Sequence, residues 1–180
     1  MINVGIGQDD RATLPEQKPP PLERMGLVRG SKPTADEVQI LMRQEALTAV
    51  DTHAVSNLHS ELGGVLLGRA FQHDGQTYVQ IEAAVIAHSE ERGPIHFTFT
   101  ADAWANIHAE REAKYPDLQI VGWYHTHPDL GVFYSSDDVV VHSVAFDMPW
   151  HVGLVVDPIR RECCFFGWFA QPNGQQELDP

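Results

Sequence analysis

The sequence predicts an α/β protein in which helices sandwich a mixed sheet, and three observations carry that prediction. Runs that alternate apolar and polar residues are interspersed with runs of helical period. A turn signal, His73-Asp74-Gly75-Gln76, joins two of the apolar runs as a hairpin. Two further segments carry start and stop residues of helices at their ends. With 180 residues, 43% of them hydrophobic, the chain fits one domain with room for a tail.

Residues 1–35 hold five of the twelve prolines and no apolar period, which predicts a flexible proline-rich tail. The domain is placed at 36–172, with a short C-terminal tail over 173–180. Val38 to Met42 reads as a strand. Leu47, Val50, Ala54 and Leu58 then form one helical stripe that Gly63-Gly64 would end. Val65 to Gly68 reads as a buried strand, and Thr77 to Ala87 as its hairpin partner, with Val79, Ile81, Ala83 and Val85 alternating. His96 to Thr100 reads as another strand. Thr100 can cap a helix that runs to Tyr115 and stops before Pro116. Leu118 to Thr126 is strand-like, a helix starts at Ser135 or Ser136, and two last strands cover about residues 151–156 and 162–169.

Charge narrows the function. Twelve Lys and Arg stand against 25 Asp and Glu, a formal charge of −13, nearly all of it within the domain. Such a surface repels phosphate backbones, so no nucleic-acid partner is expected. No apolar run approaches the roughly 20 residues of a membrane span, and the first residues lack a secretory pattern. Two adjacent cysteines, Cys163 and Cys164, form no disulfide framework and read as core thiols, which fits a cytoplasmic protein.

The chemistry concentrates in His125-Thr126-His127-Pro128, followed after six residues by Ser135-Ser136-Asp137-Asp138. Val121, Trp123, His125 and His127 alternate as on a strand, so both histidines face one side with Cα atoms roughly 6.6 Å apart, from about 3.3 Å of rise per residue. Pro128 turns the chain out of the strand. Asp138 can then supply a hard oxygen ligand. Two histidines and one carboxylate leave a fourth tetrahedral position open, the arrangement of a catalytic zinc. Ser135-x-x-Asp138 is equally the start of a capped helix, and a rigid helix start is a good way to present a carboxylate. Asp137 stands as a second candidate ligand on these grounds. A zinc hydrolase also needs a base, and Glu61, just ahead of Gly63-Gly64-Val65-Leu66-Leu67-Gly68, is the best placed. The other eight histidines show no ligand spacing and read as solvated or singly hydrogen-bonded, and Trp104 and Trp123 as packing residues.

Glu61 to Gly68, Val121 to Pro128 and Ser135 to Asp138 together resemble the JAMM/MPN+ (Mov34/MPN/PAD-1) zinc metalloprotease family, whose pattern is a distant Glu followed by H-x-H-P-x6-S-x-x-D. The resemblance covers about residues 36–170 and is nearest to proteasome-lid and signalosome deubiquitinases and their prokaryotic relatives. It implies the MPN fold, a cytidine-deaminase-like α-β-α sandwich around a curved mixed sheet. It implies one zinc ion held by His125, His127 and Asp138, which selects Asp138 over Asp137. Glu61 matches the general base that activates the zinc-bound water, and Ser135 the hydroxyl that stabilises the oxyanion. The implied reaction is isopeptide or peptide hydrolysis after the C-terminus of ubiquitin or a ubiquitin-like protein. Other components of a ubiquitin-like conjugation system are implied partners. A segment ahead of the second helix, here 88–96, is where relatives pair the substrate tail as an added strand. The alternatives are a non-catalytic MPN scaffold and the processing of a sulfur-carrier-like protein.

Overall fold

The computed structural model describes residues 13–21, 37–88, 97–170 and 176–179. Ten elements follow in the order β1 (Gln39–Met42), α1 (Gln44–Ala54), β2 (Gly63–His73), β3 (Gln76–Ile86), α2 (Ala101–Lys114), β4 (Gln119–Thr126), α3 (Ser136–Ala145), β5 (Val152–Asp157), β6 (Glu162–Ala170) and β7 (Gln176–Asp179). The seven strands form one sheet in the order β1-β3-β2-β4-β5-β6-β7. β1 runs parallel to β3 and β4 parallel to β5, and the other pairs are antiparallel. This is the mixed α/β sandwich that the sequence predicts.

Side chains alternate between the two faces of the sheet, and each face finds its own helices. On one face Ala46, Val50 and Ala54 of α1 pack on Leu66, Val79, Ile81 and Leu154. On the other, Ala103 and Ile107 of α2 pack with Val65, Leu67, Val85, Trp123 and Phe146, and Val141 and Ala145 of α3 close over the same cluster. Thr100 caps α2 by accepting the Ala103 N–H at 3.1 Å, and the helix ends before Pro116 as its sequence requires.

Four expectations are corrected. α1 stops at Ala54, so Leu58 lies outside it and is partly exposed, and Gly63-Gly64 open β2 rather than close the helix. Phe97 to Thr100 form no strand, because the Phe97 N–H is taken by the Glu61 carboxylate and Thr100 is spent on its cap; His96 lies outside the described residues. Residues 176–179, read as tail, add β7 to β6. Cys163 is exposed and Cys164 half-buried, near an edge of the sheet. Within the segment read as an N-terminal tail, Pro15 and Gln17 exchange backbone hydrogen bonds with Gln72. Among the described residues no helix is long and apolar enough to cross a membrane.

Candidate metal centre

The site forms where the C-terminal ends of the parallel strands β4 and β5 meet the start of β2. His125 pairs with Gly63 of β2 on one side and Val155 of β5 on the other. Leu66 pairs with Gly122 but Leu67 with Ile120, so Val121 is an extra residue in β4. This bulge overturns the simple alternation expected from Val121. Val121 and Tyr124 turn to the α1 face, while Trp123 packs on the other, its ring stacked on that of His125 at 4.5 Å. His127 continues past the strand, held by its N–H on the Val156 carbonyl. Pro128 then takes the chain into a loop that returns to α3.

Ser135 is the cap of α3. Its hydroxyl accepts the Asp138 N–H, and the Asp138 carboxylate accepts the Ser135 N–H at 2.7 Å, a reciprocal pair. The third position of the helix thereby faces inward. Asp138 is buried, Asp137 is exposed, and it is Asp138 that the structure brings to the histidines. His125 Nε2 lies 3.0 Å from His127 Nε2 and 3.1 Å from Asp138 Oδ1; His127 Nε2 lies 3.6 Å from Asp138 Oδ2. Glu61 enters from the loop before β2, which Leu62 ties to Thr126. Its Oε2 accepts the Phe97 N–H at 2.8 Å, and its Oε1 lies 3.7 Å from His127 Nε2. A side chain at Gly63 would strike the Phe97 ring at 2.6 Å, so glycine there lets Phe97 reach Glu61. A pocket of about 110 Å³ opens on this group, with Glu61, His127, Ser135 and Asp138 on its wall and Phe97, Leu130 and Phe133 beside them.

The donor set fits a metal ion. One ligand atom from each of His125, His127 and Asp138 lies within 4.8 Å of the others. Tetrahedral bonds of roughly 2.0–2.2 Å put ligand atoms about 3.3–3.6 Å apart, and the separations of 3.0, 3.1 and 3.6 Å lie within a few tenths of an ångström of that range. Two imidazole nitrogens 3.0 Å apart leave room for one proton between them at most. Electrostatics agree. Burial opposes the charge of Asp138, but hydrogen bonds from His125, His127 and Ser135 hold its carboxyl well below the usual range. Burial lowers the pKa of His125 in spite of Asp138. At His127 burial is outweighed by Asp138 and the Glu61 charge, and the pKa rises.

Three residues here escape a reading of the sequence. Phe97 anchors Glu61. Asp157 is a buried carboxylate under the loop that follows His127. His142, grouped from sequence with the solvated histidines, is fully buried, and its Nδ1 accepts from Trp123 Nε1–H at 3.1 Å, with the Tyr134 hydroxyl also 3.1 Å away. Its spacing of four from Asp138, one helical turn along the same face, was the signal available.

Residues 43–163 match the family described as prokaryotic homologs of the JAB domain. COP9 signalosome complex subunit 5 of Caenorhabditis elegans is 26% identical over 125 residues, 68% of this chain and 33% of that protein. Subunit 5 of Candida albicans is 26% identical over 156 residues, 74% of this chain and 23% of that protein. The NAD(+) hydrolase TcpA of Theionarchaea archaeon is 48% identical over 44 residues, 24% of this chain and 13% of that protein. The chain therefore spans about a third or less of these curated relatives. The solution structure of protein DSY2949 from Desulfitobacterium hafniense superposes with a TM-score of 0.53 at 20% identity, covering 77% of this chain and 90% of that one, and supports the fold.

Proposed function

The chain belongs to the family of prokaryotic JAB-domain proteins, and from that premise we propose that it is a zinc-dependent peptidase that cleaves after the C-terminus of ubiquitin or a ubiquitin-like protein. The observation that carries the reading is the convergence of His125, His127 and Asp138 on one point, with the Glu61 carboxylate 3.7 Å from His127. His125, His127 and Asp138 would hold the ion. When bound, zinc supplies Lewis acidity, polarising the scissile carbonyl and making water a better nucleophile at neutral pH.

The remaining work falls to side chains on the pocket wall. Glu61 is held by Phe97 through one oxygen, and its other oxygen is aimed at the site. It takes the proton of the attacking water and hands it to the leaving amine. Ser135 donates its hydroxyl proton to Asp138 Oδ2, the oxygen that also accepts the Ser135 N–H. Rotating that hydroxyl toward a developing oxyanion leaves the backbone bond in place, so Asp138 keeps a donor while the oxyanion gains one. Other members of a ubiquitin-like conjugation system are the partners this activity calls for.

Elemental mass spectrometry of the purified chain tests the metal. About one zinc per chain, lost in His125→Ala and Asp138→Ala, is expected; a wild type that stays metal-free after zinc addition at neutral pH would refute the reading. Cleavage of ubiquitin-like fusions against short peptides then tests the substrate. Turnover of peptides alone would remove the ubiquitin-like tag from the proposal.

A further inference from the structure

Asp157, the last residue of β5, has no part in the chemistry above, yet its carboxylate is fully buried. Oδ1 accepts the N–H groups of Ile159 and Arg160 at 3.0 Å each. Those two bonds belong to an ordinary turn headed by an aspartate. The same carboxylate also reaches a loop that precedes it by nearly thirty residues: Oδ1 accepts the Asp129 N–H at 3.1 Å and Oδ2 the Gly131 N–H at 2.8 Å. Arg160 clamps that loop from outside, with Nε 3.1 Å from Asp129 Oδ1 and Nη2 2.6 Å from the Asp129 carbonyl. Asp129 and Gly131 have φ of 63° and 91°. For Asp129 this is a sparsely populated conformation that its surroundings must hold. The carbonyl of the same Gly131 accepts from His127 Nδ1 at 3.3 Å.

We propose that Asp157 is a positioning residue of the metal centre. Through Gly131 it holds the His127 ring in the tautomer that carries its proton on Nδ1. The Nε2 lone pair is then turned toward His125, Asp138 and the pocket. The inference rests on the metal-site reading, and its physical basis is general: the second nitrogen of a ligating imidazole needs a fixed acceptor to set tautomer and ring orientation. A turn that served only to join β5 to β6 would be closed by Ile159 and Arg160 alone. The two bonds to residues 129 and 131 do nothing for that turn, and they act on the loop that carries the His127 acceptor.

Asp157→Asn separates the two jobs. Its single carbonyl oxygen can stand at Oδ1 and keep Asp129, Ile159 and Arg160, while its NH2 group opposes the Gly131 N–H. The full chain with this change is expected to remain folded and to bind zinc roughly 10- to 100-fold more weakly in chelator competition, the usual effect of losing a group that orients a ligand. The 15N shifts of the metal-free protein should show His127 leaving its single Nδ1–H form. Val50→Ala, in the core under α1, controls for lost stability and should leave zinc affinity and tautomer at wild-type values. Arg160→Met, an exposed change, should weaken zinc binding several-fold. Wild-type affinity and an unchanged tautomer in Asp157→Asn overturn the inference, as does an equal loss in Val50→Ala. If Asp157→Asn does not fold, an unchanged affinity and tautomer in Arg160→Met overturn it instead. A wild type that binds no zinc refutes the metal reading by itself, and the tautomer comparison still decides the role of Asp157.

Discussion

Lowering the pH from 7.5 to 5 should destabilise the fold through His142, and His142→Gln should remove that part of the loss. His142 Nδ1 already accepts the Trp123 Nε1–H, and the Tyr134 hydroxyl lies 3.1 Å from the same nitrogen. A proton on that nitrogen would expel the Trp123 donor and place a charge inside the core. Burial foremost, with His151 nearby, pushes the pKa from 6.5 down to about 3. The sign follows from linkage. Below 6.5 the unfolded chain binds a proton that the folded chain refuses until about pH 3, so stability falls as pH drops through that window. At pH 5, about 1.5 pH units below the unfolded pKa and at about 1.4 kcal/mol per unit, His142 alone costs about 2 kcal/mol. In a domain of this size that is about 4–8 °C of Tm. The lowered pKa values of His53, His125 and His151 act in the same direction, but they are common to both proteins and cancel in the comparison. Glutamine keeps an oxygen to accept from Trp123 and does not titrate. Urea unfolding of the metal-free proteins at both pH values measures the difference. If wild type and His142→Gln lose stability in parallel, the buried neutral histidine is not what links this fold to pH.

Glu61→Gln should retain zinc by elemental analysis and lose about 10²- to 10⁴-fold in cleavage rate, because only the proton acceptor has gone; unchanged turnover would exclude Glu61 as the base. Ser135→Ala removes a helix cap and an oxyanion donor together. It should cost about 1 kcal/mol in a denaturant melt and about 10²- to 10³-fold in kcat, with KM the lesser effect. Gly153→Ala would place a Cβ 1.5 Å from the Tyr134 hydroxyl, driving that ring off His142 and off Phe166, on which it stacks at 4.3 Å. A loss of about 1–3 kcal/mol is expected from such overpacking, read as a lower Tm.

Much of the fold was legible because its signals are local. The turn at Asp74-Gly75, the alternation from Thr77 to Val85, and Thr100 with Pro116 at the ends of α2 each act within a few residues. The failures share the opposite character. Phe97 to Thr100 has the composition of a strand, but its backbone is claimed by Glu61, 36 residues away. The apolar stripe of α1 extends on paper to Leu58, but burial in the sheet ends at Ala54. Val121 leaves its expected face because of a bulge that depends on the register of β2.

The site divides along the same line. His125 and His127 could be read from the two-residue strand period, whereas the helix start offered both Asp137 and Asp138 until the family pattern selected Asp138. Glu61 stood as the best-placed base ahead of its glycine-rich strand and took its role from the family resemblance; His142 shows only its helical spacing from Asp138, and Asp157 and Phe97 act through bonds that no spacing displays. Asp138 shows how one residue can serve both readings of its motif, as a helix-start carboxylate and as a candidate ligand. A capping aspartate commits one oxygen to the helix start, and here Oδ2 takes the N–H and O–H of Ser135. The other oxygen, Oδ1, is left aimed at His125 Nε2. The cap therefore sets the angle of the candidate ligand, whereas Asp137, one position earlier on the helix, is exposed. Capping supplies a rigid carboxylate at a helix N-terminus, where its charge is already favoured, and the strand brings the two histidines to it.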